Sequence, residues 1–241
     1  MNTIFCSHIE NIRWLEFTGD REDTTVYLIR AEEHHALPMD DLLNVLSAEE
    51  QDRANRFLNE EDRCVYALSH GMLRKILASR LSCKPVQLVF ETGKHGKPAL
   101  PVKNIHFNIS HSGATVLIAV SGMPVGIDVE WMRQDFAYEE LLATNFCEQE
   151  RDTIMLAADK RSMFYRLWAR KEALLKADGI GLIDDLTSID VSDEQSALPV
   201  SLSNLSGGWR VTSFPAGVHY MGCIATQSES VSFMHVLPRD I

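Results

Sequence analysis

The chain lacks a Lys/Arg-rich tract: its 241 residues carry 34 acidic against 23 basic side chains, for a formal net charge of −11. A nucleic-acid binder needs a basic surface to neutralise phosphates, so that class is excluded, and binding to an acidic membrane surface is disfavoured for the same reason. Long apolar runs are missing too. No stretch approaches the roughly 18 residues that span a bilayer, and residues 1–20 have no basic start, apolar segment or small-residue cleavage site of a secretory signal. A cytoplasmic location is expected. There is no C-x-x-C pair: Cys6, Cys64, Cys83, Cys147 and Cys223 are odd in number and scattered, which fits reduced thiols acting as small hydrophobes. Low-complexity linkers are absent, and 45% hydrophobic content suffices for one large core or two small ones.

The remaining pattern alternates strands and helices. "TTVYLIRA" (24–31) reads as a strand, "SAEEQDRANRFL" as a helix start with Ser47 and Glu50 forming a capping box, and 61–81 as a long helix. "VQLVFE" (86–91), "IHFNIS" (105–110) and "TVLIAVS" (115–121) read as strands between Gly/Pro turns. The order then restarts with strand "VGIDVEW", helical "YEELLATNF" and "EQERDTIMLAA", a helix around 163–177, and strands "LTSIDVS", "GWRVTSF" and "HYMGCIAT". "TVLIAVSG" and "HYMGCIAT" are plausible counterparts in an internal duplication with its boundary near 121–123.

Two stretches bear on chemistry. In a strand 125–131, Val125, Ile127 and Val129 enter the core while Asp128 and Glu130 emerge together on the other face, where they are expected to be exposed and to contribute little packing. Two adjacent carboxylates suit a cation, and oxygen-only ligands favour Mg2+ or Mn2+; alone, the pattern is more often that of a solvated strand face. In the helix, Trp168, Glu172 and Lys176 share one stripe, and Glu172 is the only acid between Lys160 and Lys176, against six basic residues. Such a segment can receive anions, and the exposed side carrying Lys160, Arg161, Arg166 and Arg170 is a candidate docking patch for an acidic partner. "GKHGKP" (93–98) sets Lys94 and Lys97 among glycines, although no Ser or Thr follows Lys97 as a Walker A loop requires. "FNISHSG" (107–113) offers Ser110 and His111 at a strand end; without a G-x-S-x-G elbow they do not read as a serine hydrolase.

Taken in order, "GKPAL", "FNISHSG", "VGIDVE" and "FYRLWARKEALLKADGIGL" resemble the signature blocks of the Sfp-type 4'-phosphopantetheinyl transferases, G-K-P, F-N-x-S-H, G-[IV]-D-[IV]-E and W-x-x-K-E-[AS]-x-x-K-x-x-G-x-G-L. The likeness runs from about Ser47 to the last strands. It implies an α+β fold of two similar halves related by a pseudo-twofold axis, 1–122 with nucleotide-binding contributions and 123–241 with the metal site and catalytic helix. It also implies Mg2+-dependent transfer of the phosphopantetheine of coenzyme A to a serine of an apo acyl or peptidyl carrier protein, by a monomer, with adenosine 3',5'-bisphosphate released. Asp128, Glu130 and Glu172 fall on the family's metal-ligand positions, and Glu172 also on that of the proposed general base. Lys176 falls on the lysine that meets the pyrophosphate; Lys97, Ser110 and His111 on positions that hold the nucleotide and its 3'-phosphate; Arg53 on a basic position near that phosphate. Where many members read G-K-G, this chain has Gly179-Ile180-Gly181. The rival reading is a non-catalytic coenzyme A or carrier-binding module, which would be expected to lose a metal carboxylate; a phosphohydrolase would leave the G-K-P and S-H blocks unexplained.

Overall fold

The computed structural model describes residues 2–17, 24–34, 37–93, 95–181, 185–192, 195–202 and 204–240. Lys94, singled out above, and Leu182, the last residue of the fourth block, lie outside them. The strands are β1 (Thr3–His8), β2 (Leu15–Glu16), β3 (Thr24–Arg30), β4 (Glu91–Thr92), β5 (Pro98–Ala99), β6 (His106–Ser112), β7 (Thr115–Ser121), β8 (Val125–Trp131), β9 (Gln195–Ala197), β10 (Gly208–Gly217), β11 (Tyr220–Thr226) and β12 (Val231–His235). The helices are α1 (Met39–Leu43), α2 (Ala48–Ala54), α3 (Glu60–Leu81), α4 (Glu139–Asn145), α5 (Glu148–Leu156) and α6 (Lys160–Asp178).

Strands and helices build two five-stranded sheets, β8-β11-β10-β1-β9 and β2-β12-β3-β7-β6. Each sheet contains the same unit: a strand, three helices and an antiparallel hairpin whose second strand pairs with the first strand. In one unit these are β3, α1–α3 and β6–β7; in the other, β8, α4–α6 and β10–β11. The counterpart strands read from the sequence, β7 and β11, hold equivalent central places. The fold is α+β, as expected. The termini cross over: β1 pairs in parallel with β10, and β12 in parallel with β3.

The long helices cover the outer faces. From α3, Leu73 and Leu77 pack over Tyr27, Ile118 and Val120, while Leu167, Leu174 and Leu175 of α6 pack over Trp209, Val211 and Cys223. Between the sheets lie Val26 and Leu117 on one side and Val125, Ile127, Val129, Phe214 and Ile224 on the other. The alternation of β8 thus buries the three apolar residues against the second sheet and turns Asp128 and Glu130 towards α6. Asp159 caps α6 by accepting from Ser162 N, and Gly179 (φ 80) ends it in the left-handed region, where a Cβ would be strained. Among the described residues no helix is long and apolar enough to cross a membrane.

Two expected strands do not form. Residues 85–87 make a 3-10 turn, and only Glu91 of "VQLVFE" pairs in a strand, because buried Arg74 takes the carbonyls of Pro85 and Leu88 at 2.8 and 3.0 Å. In "LTSIDVS" the apolar residues are buried as expected, but side chains replace the sheet ladder. Lys171 Nζ donates to Leu186 O and Ile189 O, Val191 N donates to Glu150 Oε1, and Arg170 Nη1 donates to Val191 O. With its backbone groups satisfied from α5 and α6, the segment has no need of a strand partner.

Candidate active site

The two sheets meet at their edge strands, β6 and β8, and the join is made by side chains. Ile127 N, Val129 N and Trp131 N donate to Asn108 Oδ1 (2.8 Å), Ser110 Oγ (3.3 Å) and Ser112 Oγ (3.0 Å), three pairs each nineteen residues apart. An edge strand carries unpaired N–H groups, and here every second side chain of β6 supplies the acceptor that a neighbouring backbone would have supplied. That fixes the height of β8 against β6. Gly126 then lets α6 lie directly on β8: a methyl there would overlap Ala173 O and Ala177 N.

Under the helix Asp128 is 2% exposed. This corrects the expectation of a solvent-facing carboxylate, since α6 roofs the face that alternation alone would leave open. Asp128 Oδ1 accepts from Lys176 Nζ at 2.6 Å and from Ser110 Oγ at 3.0 Å, and Lys176 Nζ also reaches Ser110 Oγ at 2.9 Å. Asp128 Oδ2 is buried and has no hydrogen-bond partner among the described residues. Glu130 Oε1 accepts from Trp168 Nε1 at 3.1 Å. Glu172, half-buried on α6 between Trp168 and Lys176, has neither a hydrogen bond nor an ion pair among the described residues. Burial and the nearby charge of Asp128 raise the pKa of both glutamates, Glu130 to about 7. The two strand carboxylates are each held by a donor from the helix, and Glu172 faces them unpaired.

That electrostatic load has a measurable sign. Unfolded, Glu130 ionises in the ordinary carboxylate range near 4.5; folded, it keeps its proton to about 7. Stability therefore falls as pH rises through this window and stays reduced above it. Glu130→Gln removes the load, so in metal-free buffer the variant is expected to be more stable than wild type at pH 8, by about 2 kcal/mol, with the gain vanishing towards pH 4.5. Chemical denaturation at several pH values checks it; a pH-independent difference would refute the assignment.

The remaining predicted residues divide into two groups. Ser110 is in the site. His111, next to it on β6, is solvent-accessible yet deep between walls, and that desolvation, followed by the charges of Lys176 and His70, lowers its pKa. Arg53 lies over the ring of Tyr66 (5.5 Å), and Tyr66 stacks on His70 (4.2 Å), so basic groups extend from α2 across α3 towards His111. Lys97 is placed otherwise. Its ammonium donates to Val125 O (3.0 Å), Lys176 O (2.6 Å) and Ala177 O (3.3 Å), tying the start of β8 to the end of α6, and burial brings its pKa down to about 8. Beside it a cavity of about 470 Å3 is lined by His95, Pro98, Phe107, Gly179 and Ile180, so the residue replacing the family's lysine forms an apolar wall.

The basic face of α6 is not a free docking patch. Arg170 is 6% exposed and donates to Val191 O and Ser7 O; Lys171 is fully buried against Glu150 at 2.7 Å; Arg161 holds Arg133 O and Phe136 O. Of the four residues of the expected patch, Arg161 and Arg170 serve backbone carbonyls, Arg166 is half-buried and Lys160 is exposed. Among the described residues, the one group of three side chains with ligating atoms all within 4.8 Å of one another is Cys147, Glu150 and Asp190, and not the three carboxylates of β8 and α6. Glu150 is fully engaged there by Lys171, Cys147 N and Val191 N, so it acts as a buried structural anchor.

Comparison with known proteins agrees with this geometry. Residues 124–218 match the family model of the 4'-phosphopantetheinyl transferase superfamily, and residues 35–123 match that of the 4'-phosphopantetheinyl transferase N-terminal domain. The chain belongs to the 4'-phosphopantetheinyl transferase superfamily. It is 32% identical over 153 residues to the 4'-phosphopantetheinyl transferase Sfp of Bacillus subtilis (strain 168), covering 62% of this chain and 67% of that one. To the 4'-phosphopantetheinyl transferase HetI of a Nostoc species it is 36% identical over 151 residues, covering 60% and 64%. A rat protein, the L-aminoadipate-semialdehyde dehydrogenase-phosphopantetheinyl transferase, is 34% identical over 154 residues, covering 57% and 49%. The chain is thus an enzyme, a holo-carrier-protein synthase that transfers 4'-phosphopantetheine.

Within this transferase, sequence reasoning missed Asn108 and Ser112, which hold the seam, and Gly126, which admits the helix; it placed Trp168 on the stripe of Glu172 but not its bond to Glu130. The first two were visible as polar residues at period two in "FNISHS"; what they bind was not.

Proposed function

We propose that Asp128, Glu130 and Glu172 hold one divalent cation, Mg2+ or Mn2+, and that the enzyme moves the phosphopantetheine of coenzyme A to a serine hydroxyl of an apo acyl or peptidyl carrier protein. One observation carries the reading: a buried carboxylate oxygen, Asp128 Oδ2, without a partner, close to two glutamates whose ionisation burial and mutual repulsion oppose. The donor set is all oxygen, which suits a hard cation. Once bound, the cation neutralises charge on the phosphate oxygens.

The protein's own groups do the rest. Glu172 has a raised pKa and no hydrogen-bond partner among the described residues, so that an oxygen not turned to the cation is suited to take the serine proton, directly or through a water, as the hydroxyl attacks the β-phosphorus. The bond to the leaving phosphate breaks, and adenosine 3',5'-bisphosphate departs with its charge next to Lys176, whose ammonium needs only to leave Asp128 to reach it. Arg53 and His111 receive the 3'-phosphate, Ser110 holds Lys176 and Asp128 in register, and Lys97 contributes to the nucleotide site by holding its wall. The halves divide near residue 122 and exchange β1 and β12, the first bringing the nucleotide contacts and the second the acids. Because one chain supplies both halves, it acts as a monomer, in the cytoplasm.

Incubation with coenzyme A, Mg2+ and an apo carrier, read by mass spectrometry, tests the reading. A phosphopantetheine mass gain on the carrier supports it. Free pantetheine phosphate points instead to a hydrolase, and an unmodified carrier with bound coenzyme A to a non-catalytic binding module.

A further inference from the structure

Trp168 is the fourth residue before Glu172 and the eighth before Lys176, so all three lie along one side of α6. The two ends of this stripe hold β8 in opposite order. Trp168 Nε1 donates to Glu130 Oε1 at 3.1 Å, and Lys176 Nζ meets Asp128 Oδ1 at 2.6 Å. The helix therefore runs against the strand, and Glu172 falls between the two clamped carboxylates.

The indole has little freedom. Its ring stacks on Phe164, with centroids 6.0 Å apart, and leans on Phe146 at 6.2 Å, and both phenylalanines belong to the buried core under α6. Its N–H is the hydrogen bond that fixes the Glu130 carboxylate; the other oxygen of Glu130 has no protein partner among the described residues. Glutamate has three side-chain torsions, and without the indole the group could swing outwards to water at the end of β8. One donor on a rigid ring leaves Oε2 as the oxygen available to a cation.

We infer that Trp168 is a positioning residue that holds Glu130 facing Asp128 and Glu172, so that the three carboxylates take up a divalent cation before any substrate arrives. The inference rests on the cation site proposed above. Removing the indole N–H leaves Glu130 to find its orientation at the moment of binding, and the entropy of ordering that side chain then opposes the cation.

The test measures binding of Mn2+ alone to the full chain, without coenzyme A or carrier, by calorimetry. Wild type is expected to bind, and Trp168→Phe, which keeps a six-membered aromatic ring in the stack but deletes the pyrrole ring and its donor, to bind about 10-fold more weakly, with the midpoint of thermal unfolding in metal-free buffer lowered by no more than a few degrees. A second readout is made on the wild-type protein and uses the variant only to assign a resonance. The chain has four tryptophans, and in an 15N-labelled wild-type protein one indole N–H resonance, the one missing from Trp168→Phe spectra, should shift on titration with Mg2+. No Mn2+ binding by wild type would overturn the cation site itself. Equal affinity of wild type and Trp168→Phe, or an unmoved Trp168 resonance while Mg2+ binds, would overturn the positioning role and leave the cation site standing.

Discussion

Asp128→Asn is expected to reduce phosphopantetheine transfer at least about 100-fold and to leave the protein folded. The amide keeps the shape of the carboxylate and its contact with Ser110, but it removes the negative charge paired with Lys176 at 2.6 Å and replaces the buried oxygen that has no hydrogen-bond partner among the described residues. Stability is the less obvious part. Breaking a buried ion pair by removing one member ordinarily costs several kcal/mol, and Asp128 is buried. Two features reduce that cost here. The Lys176 side chain is 29% exposed and can be rehydrated, and the charge of Asp128 is itself a cause of the raised pKa of Glu130 and Glu172, so its loss relieves repulsion. The two effects oppose each other, and the unfolding midpoint should move by no more than a few degrees. Steady-state turnover with an apo carrier, beside a thermal melt, separates the cases. Near-normal turnover in a folded variant would remove Asp128 from the mechanism; a large loss of stability would show that its role is mainly structural.

Loss of transfer in a folded protein is also what the sequence implies, but the opposing effects on stability could not be weighed from the sequence, which placed Asp128 on an open face. The period-two alternation of "VGIDVEW" correctly separates apolar from acidic residues, because side-chain direction in a strand is a local property. Whether the acidic face is wet depends on what packs over it, and the helix that does so begins thirty residues later. The same distinction runs through the molecule. The helix start at Ser47 is legible because a capping box acts over three residues. The destinations of Lys97, Arg170 and Lys171 are not, because their acceptors are backbone carbonyls, which every residue carries and no residue type advertises. That is why the basic helix looked like a docking surface, and why "LTSIDVS" looked like a strand: the cations of one satisfy the carbonyls of the other. The crossing of β1 and β12 between the sheets is invisible for a related reason, since strand partners are chosen by three-dimensional adjacency and both strands carry ordinary apolar patterns.

The close approach of α6 to β8 gives the second large effect. Gly126→Ala adds one methyl group, and on this backbone the methyl overlaps Ala173 O and Ala177 N and lies 3.0 Å from Ala177 Cα. These are backbone atoms in the last turns of a helix that lies across the same sheet, with Leu174 and Leu175 over Trp209 and Val211, so no side chain can rotate away and the helix itself must lift. Overpacking that shifts backbone is expected to cost about 3 kcal/mol, which for a chain of this size lowers the unfolding midpoint by roughly 6–12 °C. Activity should fall further than stability explains, because Ala173 and Ala177 flank Glu172 and Lys176, and lifting this turn draws both away from Asp128. Gly122→Ala serves as the control: at that position a methyl meets only Asn104 O at 4.0 Å, and melting point and turnover should both be unchanged. Should Gly126→Ala melt and turn over like wild type, the helix does not lie this close to the strand, and the convergence of Glu172 with Asp128 and Glu130 would have to be abandoned with it.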